Sequence, residues 1–232
     1  FIGGMNIADR YIKGVSWGVW RDTHFRIEGK GVHGLQSAFL IDWYVAGKQL
    51  IKGEDYYPGE AIFGDNILQI IASGPTGPWR TLLQAVIFCI TNAKKYLYIQ
   101  TPYFLPTESM NQALQTAALG GIDVRLMLPE RSDTRSAHLA THSFLDDMLR
   151  AGVKVYFYKA GFLHSKLLLV DDELACIGSA NFDFRSFEHN FEVNAFVYHH
   201  PFALEMKQMF MDDLKNCETV YPVQWLNRPL TK

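Results

Sequence analysis

The stretch HSKLLLVDDELACIGSAN, residues 164–181, combines features that indicate both a fold and a chemistry. His164 and Lys166 are two residues apart, so on an extended strand their side chains project from the same face, with Asp171 at the strand's far end. The turn that follows supplies small and polar residues, namely Gly178, Ser179 and Asn181. An imidazole that attacks phosphorus or protonates a leaving oxygen, beside a cation and hydrogen-bond donors, predicts phosphoryl transfer that uses a histidine and no metal.

Composition narrows the classes of protein that can carry this motif. The 232 residues include 48% hydrophobic and 20% charged residues, which is typical of a globular protein with one large or two small domains. With 22 Lys and Arg against 24 Asp and Glu, the chain has no general attraction to nucleic acid, so no nucleic-acid partner is expected. No apolar run approaches the roughly 20 residues that cross a bilayer, and the chain itself is expected to be soluble.

From Ile67 onward, short β-branched runs alternate with amphipathic stretches, which predicts an α/β fold with a mixed, largely parallel sheet flanked by helices. Strands are predicted at 24–29, 67–73, 96–100, 123–129, 153–158 and 191–198, with a hairpin of strands at 166–172 and 173–178. Helices are predicted at 32–47, 81–95, 108–119, 141–152 and 201–216.

The front of the chain resembles the back in the order of its elements. GGMN, residues 3–6, is followed by a predicted strand and helix, as is GSAN, residues 178–181. Each turn combines glycine with an asparagine. This predicts an internal duplication in which the first copy lacks its beginning.

Residues 164–181 fit the pattern HxK(x)4D(x)6GSxN, the HKD motif of the phospholipase D superfamily, at every specified position. The flanking segments YIQTPYFLP, GGIDVRLMLPERSD, NFDFRSFEHNFEVNAFV and WRDTHFRIEG resemble bacterial cardiolipin synthases in particular. The resemblance covers essentially the whole chain. It implies a phospholipase D fold with two pseudo-twofold-related lobes, each of which brings one HKD motif to a shared active site.

On this resemblance, residues 1–60 are the remnant of an incomplete first lobe and residues 61–232 form the second lobe with its HKD motif. FIGGMN resembles the tail of the first HKD motif, so the first His, Lys and Asp are expected upstream of Phe1. The chain is then expected to be a fragment that is inactive alone. A homodimer that completes the site is the alternative.

The resemblance also implies an activity. Cardiolipin synthases are phosphatidyltransferases that condense two phosphatidylglycerols into cardiolipin and glycerol through a phosphohistidine, and no cofactor or metal is implied. The full-length protein is expected at the cytoplasmic side of the bacterial inner membrane, attached by segments absent here. The alternatives are a phospholipase D-type hydrolase or nuclease and, from a different class, a non-catalytic lipid-binding domain.

The resemblance assigns roles to individual residues. Catalytic roles are expected for His164 as general acid and base, for Lys166 at the phosphate, for Asp171 as an orienting group, and for Glu192 as a hydrogen-bond partner of an imidazole. Phosphate-binding roles are expected for Gly178, Ser179, Asn181, Gly4 and Asn6.

Three other features are open to more than one interpretation. His138 and His142 are four apart on a predicted helix, but no HExxH glutamate or third ligand accompanies them, so a structural role is favoured over zinc binding. His24 is expected to be structural or to lie between lobes. Thr101, Tyr103 and Phe104, in the loop after a strand, either line the substrate site or simply end the strand.

Overall fold

The computed structural model describes residues 1–57, 59 and 64–228. The strands are β1 (Ile2–Gly3), β2 (Val19–Arg21), β3 (His24–Phe25), β4 (Ile67–Ser73), β5 (Tyr96–Gln100), β6 (Phe104–Leu105), β7 (Asp123–Pro129), β8 (Lys154–Tyr158), β9 (Gly161–Leu163), β10 (Leu167–Val170), β11 (Leu174–Gly178), β12 (Phe182–Asp183), β13 (Glu192–Tyr198) and β14 (Cys217–Val220). The α-helices are α1 (Arg10–Lys13), α2 (Val32–Gly47), α3 (Thr81–Asn92), α4 (Glu108–Leu119), α5 (Arg135–Ala151), α6 (His200–Leu214) and α7 (Pro222–Leu226). A 3₁₀ turn covers Glu54–Tyr56 and a π-helical turn covers Arg185–His189.

An eight-stranded sheet of order β14-β8-β7-β5-β10-β11-β13-β4 forms the centre of the fold. The predicted α/β class with a mixed sheet is confirmed, but the expectation of largely parallel pairing is wrong. Only the β5–β7 and β7–β8 pairs are parallel, and the other pairs in this sheet are antiparallel. The β10–β11 hairpin contributes to this difference, because its tight turn forces antiparallel pairing and it lies between β5 and β13.

The hairpin turn is formed by two residues with left-handed backbone, Asp171 at φ 55° and Asp172 at φ 62°. The backbone N–H of Glu173 donates to the carbonyl of Val170 at 2.9 Å and closes the turn. Positive φ at both central positions matches the right-handed twist of the two strands, which favours such turns in hairpins. Aspartate tolerates this conformation better than most residues.

Helices cover both faces of the sheet. On one face α3, α4 and α5 pack over a core that includes Leu97, Ile99 and Phe196. On the other face α6 packs over Leu167 and Leu169, and α2 contacts β4. Successive residues of a strand point to opposite faces, so both cores are built from the same strands.

Most predicted elements are found with small changes in their bounds. The predicted helix at 141–152 begins earlier, at Arg135, because the side chain of Thr134 accepts a hydrogen bond from the backbone of Ala137 and caps it. The predicted strand at 24–29 is reduced to β3, because its partner within the described part of the chain is the two-residue β1. The predicted lobe boundary between residues 60 and 61 lies outside the described residues.

Residues 1–25, which we call the front segment, are joined to the elements around the large sheet. Strand β2 pairs in parallel with β9, and Arg21 forms two hydrogen bonds with the buried carboxylate of Asp213, at 3.0 and 2.9 Å. The side chain of Gln100 also donates to Asp213, at 2.8 Å. Main-chain and ionic contacts therefore hold the front segment against one end of the strands of the large sheet.

Over residues 1–57, 59 and 64–228, no helix has both the length and the apolar character to cross a bilayer.

Candidate active site

The sequence-predicted residues converge where the front segment meets the sheet. His164 directly follows β9 and lies three residues before β10, and its backbone N–H donates to the carbonyl of Arg21 at 2.7 Å. The strand register brings the start of β10 beside the end of β11 at Gly178, and Glu192 begins the next strand, β13. His164, the glycine turn and Glu192 therefore lie at the same end of the strands of the sheet.

His164 is held by an aspartate that sequence reasoning missed. Its Nδ1 lies 2.7 Å from Oδ2 of Asp22, and both side chains are only 11% exposed. Because a carboxylate can only accept, Nδ1 carries the hydrogen and Nε2 keeps its lone pair. The other carboxylate oxygen of Asp22 accepts from the backbone of Thr23 at 2.8 Å, which fixes the group in turn.

Aromatic rings enclose the imidazole. Its centroid lies 4.9 Å from that of Trp20, 5.7 Å from that of Tyr11 and 5.9 Å from that of Phe162. Burial among these groups lowers the pKa of His164, the hydrogen bond to Asp22 raises it, and the charge of Lys166 lowers it, with a lowered pKa as the result. The lowered pKa favours the neutral imidazole, which can accept a proton through Nε2, while the hydrogen bond to Asp22 supports the protonated form that gives a proton back.

Lys166 is a buried cation beside this ring. Its Nζ donates to the carbonyl of His164 at 2.7 Å and lies 3.1 Å from Nε2 of the same residue. Burial lowers the pKa of Lys166 to about 8, and the negative charges of surrounding carboxylates oppose this effect. These carboxylates belong to Asp22, Glu192, Asp183 and Asp133. Lys166 therefore carries a positive charge at pH 7 in a site rich in carboxylates.

The glycine turn at 178–181 packs tightly on β13. A Cβ at Gly178 would collide with the side chain of Asn194, so no larger residue fits without a shift. Ser179 donates to Glu192 at 2.5 Å. The side-chain oxygen of Asn181 is enclosed and has no hydrogen-bond partner among the described residues. Ser179 and Glu192 are thus brought together, and Asn181 retains unused hydrogen-bonding capacity.

The front turn repeats this arrangement. A Cβ at Gly3 would meet the ring of His24, and one at Gly4 would meet the carboxylate of Asp22, as the Ser179 side chain meets Glu192. Asn6 is exposed on the segment that follows. These parallels support the predicted duplication, and His24 has the expected structural position, paired with Gly3.

The same parallel is the signal by which Asp22 could have been found. Gly3 pairs with His24 and Gly178 pairs with Asn194, and an acidic residue stands two positions before each partner. These acids are Asp22 and Glu192. By this equivalence the carboxylate that holds an imidazole in the second half is supplied by the first half.

The structure does not bring Asp171 to this site. It lies at the opposite end of the strands, where its carboxylate accepts from the backbone N–H groups of Lys94, Lys95 and Tyr96 at 2.6, 2.8 and 2.8 Å. These residues connect α3 to β5. Asp171 thus ties the hairpin to the start of the neighbouring strand.

We expect Asp171→Ala to lower the free energy of unfolding by about 2 kcal/mol, because three backbone donors lose a charged acceptor and water replaces it only in part. Asp171→Asn keeps the left-handed turn accessible and is expected to lose about 1 kcal/mol. Denaturant unfolding measures both. Glu173→Ala, at an exposed neighbouring position, is the matched control and should change stability little. Full stability of Asp171→Ala would contradict the anchoring role.

Other residues considered from the sequence fall into two groups. Thr101 and Phe104 are buried; Thr101 directly follows β5 and its hydroxyl accepts from the backbone N–H of Phe182, and Phe104 begins β6. Tyr103 packs against Phe162, which in turn faces His164. The rings of His138 and His142 lie 3.9 Å apart and pack within the helical layer near Trp225.

Comparisons with known proteins are consistent with this geometry. The family described as cardiolipin synthase, PLD-like domain, matches residues 86–214, more than half of the chain. Cardiolipin synthase 2 of Bacillus cereus is 42% identical over 95% of this chain and 44% of that protein. The major cardiolipin synthase ClsA of Bacillus subtilis is 41% identical over 99% of this chain and 48% of that protein. The chain spans about half the length of the curated relatives it matches.

Solved structures share the fold. Nuc of Salmonella typhimurium, a phospholipase D family member, matches with a TM-score of 0.56 and 22% identity over 67% of this chain and 99% of that chain. Phosphatidylserine synthase of Haemophilus influenzae Rd KW20 matches with a TM-score of 0.54 and 17% identity over 69% of this chain and 44% of that chain. These structures confirm the predicted phospholipase D fold. The family match over residues 86–214 shows that this chain belongs to the family of cardiolipin synthase PLD-like domains.

Proposed function

We propose that this chain supplies one catalytic half of a phosphatidyltransferase that condenses two phosphatidylglycerols into cardiolipin and glycerol. The observation that carries the proposal is the 2.7 Å contact between His164 and Asp22, with Lys166 at the same imidazole. An imidazole that is oriented by a carboxylate and lies beside a cation suits proton transfer at a phosphodiester. The family match and the relatives named cardiolipin synthase favour a phospholipid substrate.

In this proposal a histidine in an HKD motif upstream of Phe1 attacks the phosphorus of the first phosphatidylglycerol. The phosphorus–oxygen bond to the glycerol headgroup breaks, and protonated His164 supplies the proton to the departing glycerol. The hydroxyl of a second phosphatidylglycerol then attacks the phosphohistidine and gives its proton to His164. One phosphodiester is broken and one is formed, so the reaction needs neither water nor an external energy source.

The remaining residues have supporting roles in this scheme. Lys166 and Asn181, together with Asn6, would hold the non-bridging oxygens, and the backbone at Gly178 and Gly4 would complete the phosphate site. Asp22 keeps the lone pair of His164 directed at the substrate. Glu192, the counterpart of Asp22, would hold the upstream histidine, with Ser179 as its present partner. Asp171 contributes only stability.

The products of a full-length protein that contains this chain test the proposal. Labelled phosphatidylglycerol should be converted to cardiolipin and glycerol. Phosphatidic acid as the only lipid product would replace the transferase with a hydrolase, and binding of the lipid without turnover would indicate a non-catalytic domain. Cleavage of DNA in place of lipid would indicate a nuclease.

The 232-residue chain alone should not turn over lipid, because HxK occurs only once in its sequence. Turnover by this chain would instead assign the second histidine to another copy, as in a homodimer. For the full-length protein we propose a location at the cytoplasmic side of the bacterial inner membrane, where its substrate is found.

A further inference from the structure

Residues 5–19, which we call the apolar segment, expose hydrophobic side chains beside the active site. Ile7 and Ile12 are fully or almost fully exposed, at 107% and 89%, and Met5 and Val19 are more than half exposed. The segment includes α1, which has no buried residue. Single exposed apolar residues are common on proteins, but four within fifteen residues form an apolar patch of the kind that contacts a partner or a membrane.

The charges of the apolar segment suit an anionic surface. Arg10 and Lys13 are its basic residues, and Asp9, its one acidic residue, is paired with Lys13 at 2.6 Å. The segment is therefore net positive in a chain whose net charge is −2. Exposed isoleucine beside arginine and lysine is typical of peptides that lie at a lipid interface.

The apolar segment is also part of the wall around His164. Tyr11 contacts the imidazole edge-on at 5.7 Å, and the guanidinium of Arg10 lies 5.7 Å from the Tyr11 ring and 5.1 Å from the Trp20 ring. One face of the segment therefore touches the reacting histidine, while its exposed side chains face solvent. A substrate whose acyl chains remain in a bilayer can reach His164 only if the bilayer meets the protein close to this wall.

We propose that the apolar segment is a membrane-contact surface that seats on anionic phospholipid, with Ile7 and Ile12 entering the headgroup layer and Arg10 and Lys13 at the lipid phosphates. This rests on the proposed function, since it assumes that the substrate is a membrane phospholipid. The surface positions the imidazole next to the layer that supplies the headgroup. It contacts the membrane without spanning it.

Co-sedimentation of the 232-residue chain with lipid vesicles tests this surface without any need for turnover. The chain should bind vesicles of equal parts phosphatidylglycerol and phosphatidylcholine more tightly than vesicles of phosphatidylcholine alone. The double change Ile7→Ser and Ile12→Ser should weaken binding at least tenfold, because two large side chains no longer leave water. Arg10→Gln should weaken binding to the anionic vesicles about fivefold.

The matched control is the double change Leu119→Ser and Val223→Ser. Both residues are about as exposed as the apolar segment, at 73% and 74%. Leu119 ends α4 and Val223 lies in α7, at the end of the strands opposite His164. This variant should bind vesicles like the parent. Equal loss in both double variants, or no loss in the Ile7 and Ile12 variant, would overturn the proposal.

Two further outcomes separate the surface from the chemistry. If the parent chain dimerises in buffer and the Ile7 and Ile12 changes dissociate it, the surface is assigned to a second copy and the membrane proposal fails. If vesicle binding depends on Ile7 and Ile12 but the full-length protein yields no cardiolipin, the membrane surface stands and the proposed transferase fails.

Discussion

Asp22→Asn is expected to reduce the turnover of phosphatidylglycerol by a full-length protein that contains this chain by roughly three orders of magnitude. The carboxylate of Asp22 accepts from Nδ1 of His164 at 2.7 Å and so keeps the lone pair on Nε2. An asparagine amide can donate to Nδ1 and stabilise the opposite tautomer, in which Nε2 carries a hydrogen and cannot act as a base. The substitution is nearly isosteric, so the fold should be retained.

The pH profile separates this positioning role from general damage. The hydrogen bond to Asp22 raises the pKa of His164, so its removal should move the limb of the profile that belongs to His164 to lower pH. Because the proposed cycle begins with protonated His164, this is the alkaline limb, and residual turnover should fall off at lower pH than in the parent. His164→Gln should lose the limb altogether.

Asp147→Asn is the matched control, since Asp147 is exposed on α5 and takes no part in the site. It should leave turnover and the pH profile unchanged. If Asp22→Asn keeps turnover within tenfold of the parent, the imidazole is not oriented by Asp22 and the proposed chemistry of His164 loses its basis.

Much of the fold follows from periodicity. The strand at 67–73 and the helix at 108–119 are found at their predicted bounds, because local hydrophobic patterns dictate such elements. Strand order does not follow in this way. That β10 and β11 enter between β5 and β13 depends on contacts between distant residues, which no local pattern reports, and this is why the predicted parallel character was wrong.

The site was predicted in part for the same reason. The motif brings His164 and Lys166 together as predicted, although both lie in the link between β9 and β10 and not on a strand. Asp171 and Asp22 illustrate what local spacing omits. Asp171 has its partners 75 to 77 residues away in sequence, at the end of the strands opposite His164. Asp22 meets His164 although 142 positions separate them in the sequence. The predicted internal duplication was the available signal for Asp22, because the pairing of Gly3 and of Gly178 gives Asp22 and Glu192 matching positions.

Lys166→Met is expected to abolish turnover and to remove a pH dependence of stability. Burial lowers the pKa of Lys166 from 10.5 to about 8. Between these pH values the unfolded chain binds a proton that the folded chain does not, so the contribution of this lysine to stability rises with pH. The difference between the two pKa values corresponds to about 3 kcal/mol.

Denaturant unfolding of the 232-residue chain and its Lys166→Met variant measures this contribution. From about pH 7.5 to about pH 10.5, the free energy of unfolding of the parent should rise by about 3 kcal/mol relative to that of the variant. The comparison with the variant is needed because tyrosines and cysteines with raised pKa values also titrate in alkaline solution. They do so in both proteins and cancel in the difference.

The stability difference also explains what the site requires. A buried cation that destabilises the folded state at neutral pH is retained only where function needs it. Here the proposed need is to balance the charge of a phosphate beside His164. Lys52→Met, at an exposed lysine, is the control and should give a difference that is flat with pH. A flat difference for Lys166→Met as well would mean that the surrounding carboxylates fully offset its burial, and the lysine would then cost the fold nothing.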